Sequence, residues 1–235
     1  MSKVLVTGGA SGIGKAAVQK LLSDGFSVVA TYHRLQPPFE DYDLTWIRAN
    51  LSDPSDREKL CSEVSSDARL SGVVNVAGIN VIQTAGSVTP DAVSSLWEVN
   101  FFAAYEICRR LAPSLGHGDT GRIVNVASIW AEKGKPGRSN YAASKAALVG
   151  MTRALAVELG PAKVLVNSVS PGFTLTELTS RSLSEKDVSE ISERIPLGRL
   201  AQPSEIADVI AFIVGQNNTY ITGQNIVVDG GFSVS

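Results

Sequence analysis

Seven short apolar runs recur along the chain, at residues 3–7, 26–31, 45–48, 72–76, 122–127, 164–169 and 225–228, with helix-patterned stretches between them. Most are continuous rather than alternating in polarity. A strand with one wet face alternates, whereas a strand covered on both faces reads as an unbroken apolar run. The pattern predicts an α/β fold with a doubly wound, parallel sheet of about seven strands and helices on both faces. Right-handed crossovers in such a sheet bring the loops that follow the strands to one edge, where ligands bind. No proline-rich or charged linker interrupts the 235 residues, so residues 1–235 are expected to form one domain.

The first run, Lys3-Val4-Leu5-Val6, flows into Thr7-Gly8-Gly9-Ala10-Ser11-Gly12-Ile13-Gly14, and a helical pattern follows from Lys15 to Leu22. Glycines at 8, 12 and 14 let the backbone turn tightly and approach a pyrophosphate, whose charge then sits at the positive end of the helix. The spacing Gly-x-x-x-Gly-x-Gly differs from the commoner Gly-x-Gly-x-x-Gly. The strand before it and the helix after it set this turn apart from an ordinary loop.

A second constellation lies in the middle of the chain, where Ser128 is followed thirteen positions on by Tyr141 and four further by Lys145. Four residues along a helix rise about 6 Å, so the phenol and the ammonium share a face. A phenol with a reference pKa near ~10 is a poor acid/base at neutral pH, and lowering it by about three units requires roughly 4 kcal/mol. One cation about 4 Å away at an effective dielectric of ~20 is worth on the order of 4 kcal/mol, so a single lysine is expected to supply most of that shift.

Together these motifs resemble the short-chain dehydrogenase/reductase family, single-domain type, and among its members the 3-oxoacyl-carrier-protein reductases. Thr7 to Gly14 matches that family's T-G-x-x-x-G-x-G, Asn75-Val76-Ala77-Gly78 resembles its N-N-A-G, and Ser128, Tyr141 and Lys145 match its S…Y-x-x-x-K. Pro171 to Thr176 resembles its P-G-x-x-x-T, and Pro196 to Ala207 and Thr222 to Gly231 fit its tail. The resemblance implies a Rossmann-type fold and an NAD(P)(H)-dependent oxidoreductase that interconverts a ketone and a secondary alcohol. It implies that Tyr141 is the general acid/base and that Ser128 bonds the reacting oxygen. Lys145 would depress the tyrosine and bind the nicotinamide ribose, and Asn100 would hold a water linking that lysine to solvent. The implied cofactor contacts are Gly8, Ser11, Gly12, Ile13 and Gly14 at the first turn, Thr31, His33 and Arg34 after the second strand, and Asn50 and Leu51 beside the adenine. Asn75, Ala77, Gly78, Tyr141, Lys145, Pro171, Gly172, Thr174 and Thr176 complete the set around the nicotinamide and phosphates.

Cofactor choice turns on the residues after the second strand, where an acid bonds the ribose hydroxyls of NAD and repels a 2′-phosphate. Here the sequence is Val28-Val29-Ala30-Thr31-Tyr32-His33-Arg34, with no acid. Arg34, with His33, is expected to pair with the phosphate of NADP, as in the pteridine reductases that resemble this stretch. Ser11 stands where many NADP-dependent relatives carry Arg. Val76 replaces the second Asn of N-N-A-G, and Ser71 stands where the family often has Asp; neither belongs to the proton relay.

The polar stretch Leu178 to Arg194 reads as a helical lid, placed at about residues 176–195, and Trp130 is expected to line the pocket. The resemblance implies a small carbonyl or alcohol substrate, with a 3-oxoacyl compound, carrier-linked or not, as one class, although no compact basic patch stands out to grip an acidic carrier protein. Sugar, polyol and hydroxysteroid dehydrogenases share the motifs, and a non-catalytic nucleotide sensor of the same fold is the alternative of another kind. A net charge of −2 without a basic cluster argues against nucleic acid. Cys61, Cys108, His33 and His117 show no metal-ligand spacing. No apolar run approaches the roughly 20 residues that span a bilayer, so a cytoplasmic protein is expected. By resemblance the chain forms a homotetramer, or alternatively a dimer, through the helices that hold Asn100 and Tyr141, with added contacts from Phe232 to Ser235.

Overall fold

The computed structural model describes residues 2–115, 120–177, 179 and 183–235. Seven strands, β1 (Lys3–Thr7), β2 (Ser27–Tyr32), β3 (Leu44–Arg48), β4 (Leu70–Asn75), β5 (Gly121–Val126), β6 (Val164–Pro171) and β7 (Asn225–Val228), form one sheet. Its order is β3-β2-β1-β4-β5-β6-β7, and every pairing is parallel. All seven apolar runs are strands. The sheet is an open Rossmann-type parallel sheet with helices on both faces, as its sequence predicts.

Alternate residues of one strand serve two cores. Leu5 points to the face covered by α2 (Pro54–Ser65), α4 (Ala103–Leu111) and α5 (Ser139–Leu159), among Leu60, Ile107, Leu111 and Leu148. Val4 and Val6 point to the opposite face, covered by α1 (Gly12–Ser23) and α7 (Pro203–Val214), among Leu21, Ile206 and Ile210. Fully buried aliphatic side chains on both sides explain why the strands read as unbroken apolar runs.

Helix starts follow the local chemistry. Pro54 opens α2 behind an Asp53 cap, and Pro90 opens α3 (Pro90–Trp97) behind a Thr89 cap. Ser184 and Asp187 form a capping box on α6 (Glu185–Glu193), the helix of the expected lid. Leu178 and Arg181 of that lid, like His117, lie outside the described residues. Between α3 and α4 the chain passes through a π-helical turn, Glu98–Phe102.

Strand order reverses at β1, where β2 and β3 extend one way and β4 to β7 the other. A crevice therefore opens between the carboxyl ends of β1 and β4, the place where parallel sheets bind nucleotides. Among the described residues, no helix is long and apolar enough to cross a membrane.

Candidate active site

The carboxyl end of β1 is bolted to its neighbours before the glycine turn begins. Thr7 Oγ1 accepts the backbone N–H groups of Val76 and Ala77 beyond β4, at 3.0 and 3.2 Å. On the other side Thr31, buried at the end of β2, accepts the Gly8 N–H on its Oγ1 at 3.0 Å. Thr31 thus holds the turn in place. Gly14 closes the turn so tightly that a Cβ there would lie 2.1 Å from the Gly8 carbonyl oxygen. Ser11, in extended conformation, precedes the first residue of α1, and Ile13 packs inward against the α1/α7 core.

An anionic group already sits at this helix start. The Gly12 N–H donates to Glu177 Oε2 at 3.1 Å, and Thr176 lies against Gly12. A carboxylate on the amide of a helix N-terminus is the stand-in for a phosphate, so the turn fits the pyrophosphate of a dinucleotide. Sequence reading missed Glu177, because its partner lies 165 residues away and nothing local marks it.

Ser128, Tyr141, Lys145 and Asn100 converge at the next part of the edge. Ser128, buried just past β5, starts a short 3-10 turn, Ile129–Ala131, by accepting the Trp130 N–H on its hydroxyl. That hydroxyl also faces the phenol of Tyr141 and favours its ionised form. Tyr141 lies in the first turn of α5, where the helix dipole favours negative charge. Burial nevertheless outweighs Ser128 and the Arg138 charge, and the phenol is held above its ordinary range. One turn on, Lys145 is 3% exposed and donates to the Val126 carbonyl at 2.8 Å. Its ammonium lies 5.9 Å from the centre of the Tyr141 ring, and burial lowers its pKa to about 8. The expectation that this lysine dominates the tyrosine's ionisation is corrected: burial acts most strongly on both groups.

Asn100 sits inside the π-helical turn and is 1% exposed. Its Oδ1 accepts the Ile79 N–H at 2.8 Å, and its Nδ2 donates to the Ile79 carbonyl and to Ser144 Oγ at 3.0 and 3.2 Å. The amide clamps the loop after β4 to α5. Gly78 runs close beneath it, where a Cβ would lie 3.3 Å from Asn100 Oδ1 and 3.4 Å from Lys145 Nζ.

The remaining expected contacts divide between crevice and scaffold. Ala77 follows β4, and Pro171 and Gly172 end β6, with the Gly172 N–H donating to Val228. Asn75 is buried, its Nδ2 donating to Asn125 Oδ1 at 2.9 Å while its own Oδ1 has no partner among the described residues. Thr174 is buried and donates to the Gly172 carbonyl, and Thr176 pairs with Thr179. Asn50 Oδ1 is taken by Ser52, and Leu51 is part of the core. His33 and Arg34 are exposed after β2. The departures from the motif are accommodated locally: Val76 packs against the α1/α7 core, and Ser71 donates to the Lys3 carbonyl.

Trp130 stacks edge-on with Phe173 and Phe232 at 5.9 and 6.3 Å. Phe232 is buried in this cluster with Ile129, Ile195 and Leu200. Its ring is therefore packed within the chain, whereas Val234 in the same C-terminal stretch is exposed.

A family profile described as Enoyl-(Acyl carrier protein) reductase matches residues 8–233. The acetoacetyl-CoA reductase of Acinetobacter sp. (strain RA3849) is 30% identical over 97% of this chain and 96% of its own length. The 3-oxoacyl-[acyl-carrier-protein] reductase of Thermotoga maritima is 33% identical over 98% of this chain and 97% of its own. Among solved structures, a 4-hydroxyisoleucine dehydrogenase complexed with NADH superposes with a TM-score of 0.93 at 29% identity, covering all of both chains. A parallel sheet with a phosphate cradle at its switch point is the mark of a nucleotide-dependent enzyme of this architecture. The chain belongs to the short-chain dehydrogenase/reductase family, and it is an oxidoreductase acting on a CH–OH or ketone group with a nicotinamide cofactor.

Proposed function

We propose that the protein is an NADPH-dependent reductase that converts the ketone of a 3-oxoacyl substrate to a secondary alcohol. The observation that carries this reading is the phenol of Tyr141, half-buried beside Ser128 and held in its protonated form by burial. Reduction of a ketone needs a proton donor at the oxygen, and a phenol whose ionisation is disfavoured is poised to be that donor. When bound, the nicotinamide supplies the hydride. Ser128 donates to the same oxygen and holds it where negative charge develops. Lys145 binds the nicotinamide ribose and returns a proton toward the phenol, and Asn100 positions the loop against which the ring lies. Gly8, Gly12 and Gly14 cradle the pyrophosphate, Thr174 and Thr176 close over it, and residues 176–195 act as a lid. Arg34, exposed where a second-strand acid would favour NAD, takes the 2′-phosphate.

The names of the acetoacetyl-CoA and 3-oxoacyl relatives support the 3-oxoacyl class. Exposed Phe102, Tyr105 and Val157 on the helices holding Asn100 and Tyr141 support a homotetramer, and we place the enzyme in the cytoplasm as one domain over residues 1–235. The test is titration with NADPH and with NADH by nicotinamide fluorescence, followed by a panel of ketones and 3-oxoacyl thioesters. Tighter NADPH binding with oxidation by a 3-oxoacyl compound is the expected result. Preference for NADH, or binding without turnover across the panel, counts against it.

A further inference from the structure

The loop before α5 reads Glu132-Lys133-Gly134-Lys135-Pro136-Gly137-Arg138, with three cations in seven residues. Arg138 is the residue just before the helix, and its guanidinium carbon lies 5.9 Å from the centre of the Tyr141 ring. Its Nε is buried and has no hydrogen-bond partner among the described residues. Among the described residues, no carboxylate forms an ion pair with Arg138 or with Lys135. Arg57 likewise has a buried Nε without a partner among the described residues, but the Nη groups of Arg57 and Arg122 are held. Arg57 holds Glu98 and the Leu51 carbonyl, and Arg122 holds the carbonyls of Thr120, Gln216 and Asn218.

Lys135 stands over the rings of Trp130 and Phe173, at 5.4 and 5.5 Å. Its proton affinity is lowered by burial first, then by the charges of Arg138 and Arg194, with Asp187 opposing them least. Lys135 and Arg138 therefore feel one another. Both line a cavity of about 430 Å³, whose wall also includes Ser139 and Ala142 of the first turn of α5 but not Tyr141 itself. The first turn of α5 carries no acid to offset them. Two cations drawn together, one of them half-buried, with only the weak influence of Asp187 to offset them, repel one another. An incoming anion relieves that repulsion, and a planar guanidinium is shaped for a carboxylate.

We propose that Arg138, with Lys135, forms an anion subsite that holds a free carboxylate of the substrate next to the ketone facing Tyr141. Within the 3-oxoacyl class the enzyme then acts on a short oxo acid rather than on the thioester. The inference rests on the proposed reductase reading for the ketone, and on the cavity and its unpaired cations for the carboxylate.

The test uses acetoacetate, its methyl ester and acetoacetyl-CoA as substrates with NADPH, and the full-length protein with Arg138→Gln, Arg138→Lys or Tyr141→Phe. Wild type is expected to favour acetoacetate over the ester, and Arg138→Gln to cut kcat/KM for acetoacetate by about 30-fold or more, mainly through KM. The ester is expected to change by less than about threefold, and Arg138→Lys to recover part of the loss. Equal losses for acid and ester, or no preference in wild type, overturn the subsite. A loss confined to acetoacetyl-CoA places the recognised charge on its phosphates and overturns the carboxylate assignment. Calorimetric binding of acetoacetate to the protein loaded with NADP+, which has no hydride to give, separates the two readings. Binding that survives Tyr141→Phe and is lost in Arg138→Gln supports the subsite even if no ketone is reduced, and absence of binding in wild type overturns it.

Discussion

Tyr141 and Lys145, one helical turn apart on α5, are moved in opposite directions by the same burial: the phenol upward and the ammonium down to about 8. Both shifts favour the neutral form of each group. One N–H of Lys145 donates to the Val126 carbonyl, which anchors the lysine to the end of β5 and leaves its other donors for other partners. The pair rests as a protonated phenol beside an ammonium whose pKa is lowered to about 8. That state suits an enzyme whose tyrosine donates a proton to a ketone oxygen.

Replacing the phenol removes the proposed proton donor and leaves the cradle at α1 untouched. Tyr141→Phe is expected to lower kcat by at least about a hundredfold while changing NADPH affinity by less than about twofold. Steady-state rates and fluorescence titration on the same preparation check both halves. Turnover near that of wild type would remove Tyr141 from the chemistry.

The lysine also makes a prediction about stability. Its pKa is about 8 in the folded chain against 10.5 as the reference. Below 8 the group is charged in both states, and the folded protein carries the full cost of burying the ammonium. Between 8 and 10.5 the unfolded chain binds the extra proton, so stability rises with pH. The raised phenol works against this only above its ordinary value of 10. Wild type is expected to gain on the order of 2 kcal/mol from this group between pH ~8 and ~9.5, and Lys145→Met to lose that gain. Urea unfolding midpoints of both proteins at the two pH values check it, and an equal gain in the variant would assign the effect to another group.

Arg34 is exposed beyond β2 and forms no ion pair among the described residues. If it takes the 2′-phosphate, Arg34→Ala is expected to weaken NADPH by about 1.5–3 kcal/mol and leave NADH unchanged. Parallel titrations with the two cofactors measure the difference directly. Equal losses for both would take Arg34 out of the phosphate contact.

What could be read from the sequence and what could not divides along a physical line. The strands were legible because Val4, Leu5 and Val6 are all buried, two on one face and one on the other, and burial on both faces leaves an unbroken run. The glycine turn and the Tyr141–Lys145 spacing were legible because one helical turn or one tight loop fixes their geometry. Burial of the phenol and the ammonium depends on what the rest of the chain packs around them, so local spacing pointed to a charge effect where burial is the larger one. The π-helical turn that aims Asn100 inward carries no mark in Glu98-Val99-Asn100-Phe101-Phe102. Arg138 reads as an ordinary loop cation until the fold sets it against Tyr141 and Lys135.

Glu177 is the clearest case of a contact without a local mark, and it carries the last prediction. Its carboxylate accepts the Gly12 N–H at 3.1 Å, at the amide end of α1. The first turn of α1 has no acid of its own, so this contact brings negative charge from elsewhere in the chain to the helix start. A pyrophosphate entering the turn must displace that carboxylate and meets its repulsion. Glu177→Gln keeps the side-chain length and removes the charge. It is expected to tighten NADPH binding by about 3–10-fold, roughly 0.6–1.4 kcal/mol, and the gain is expected to shrink as salt screens the repulsion in wild type. Fluorescence titration at low and high ionic strength checks both features. Unchanged or weaker binding in the variant would mean that the carboxylate and the cofactor do not compete for the Gly12 amide.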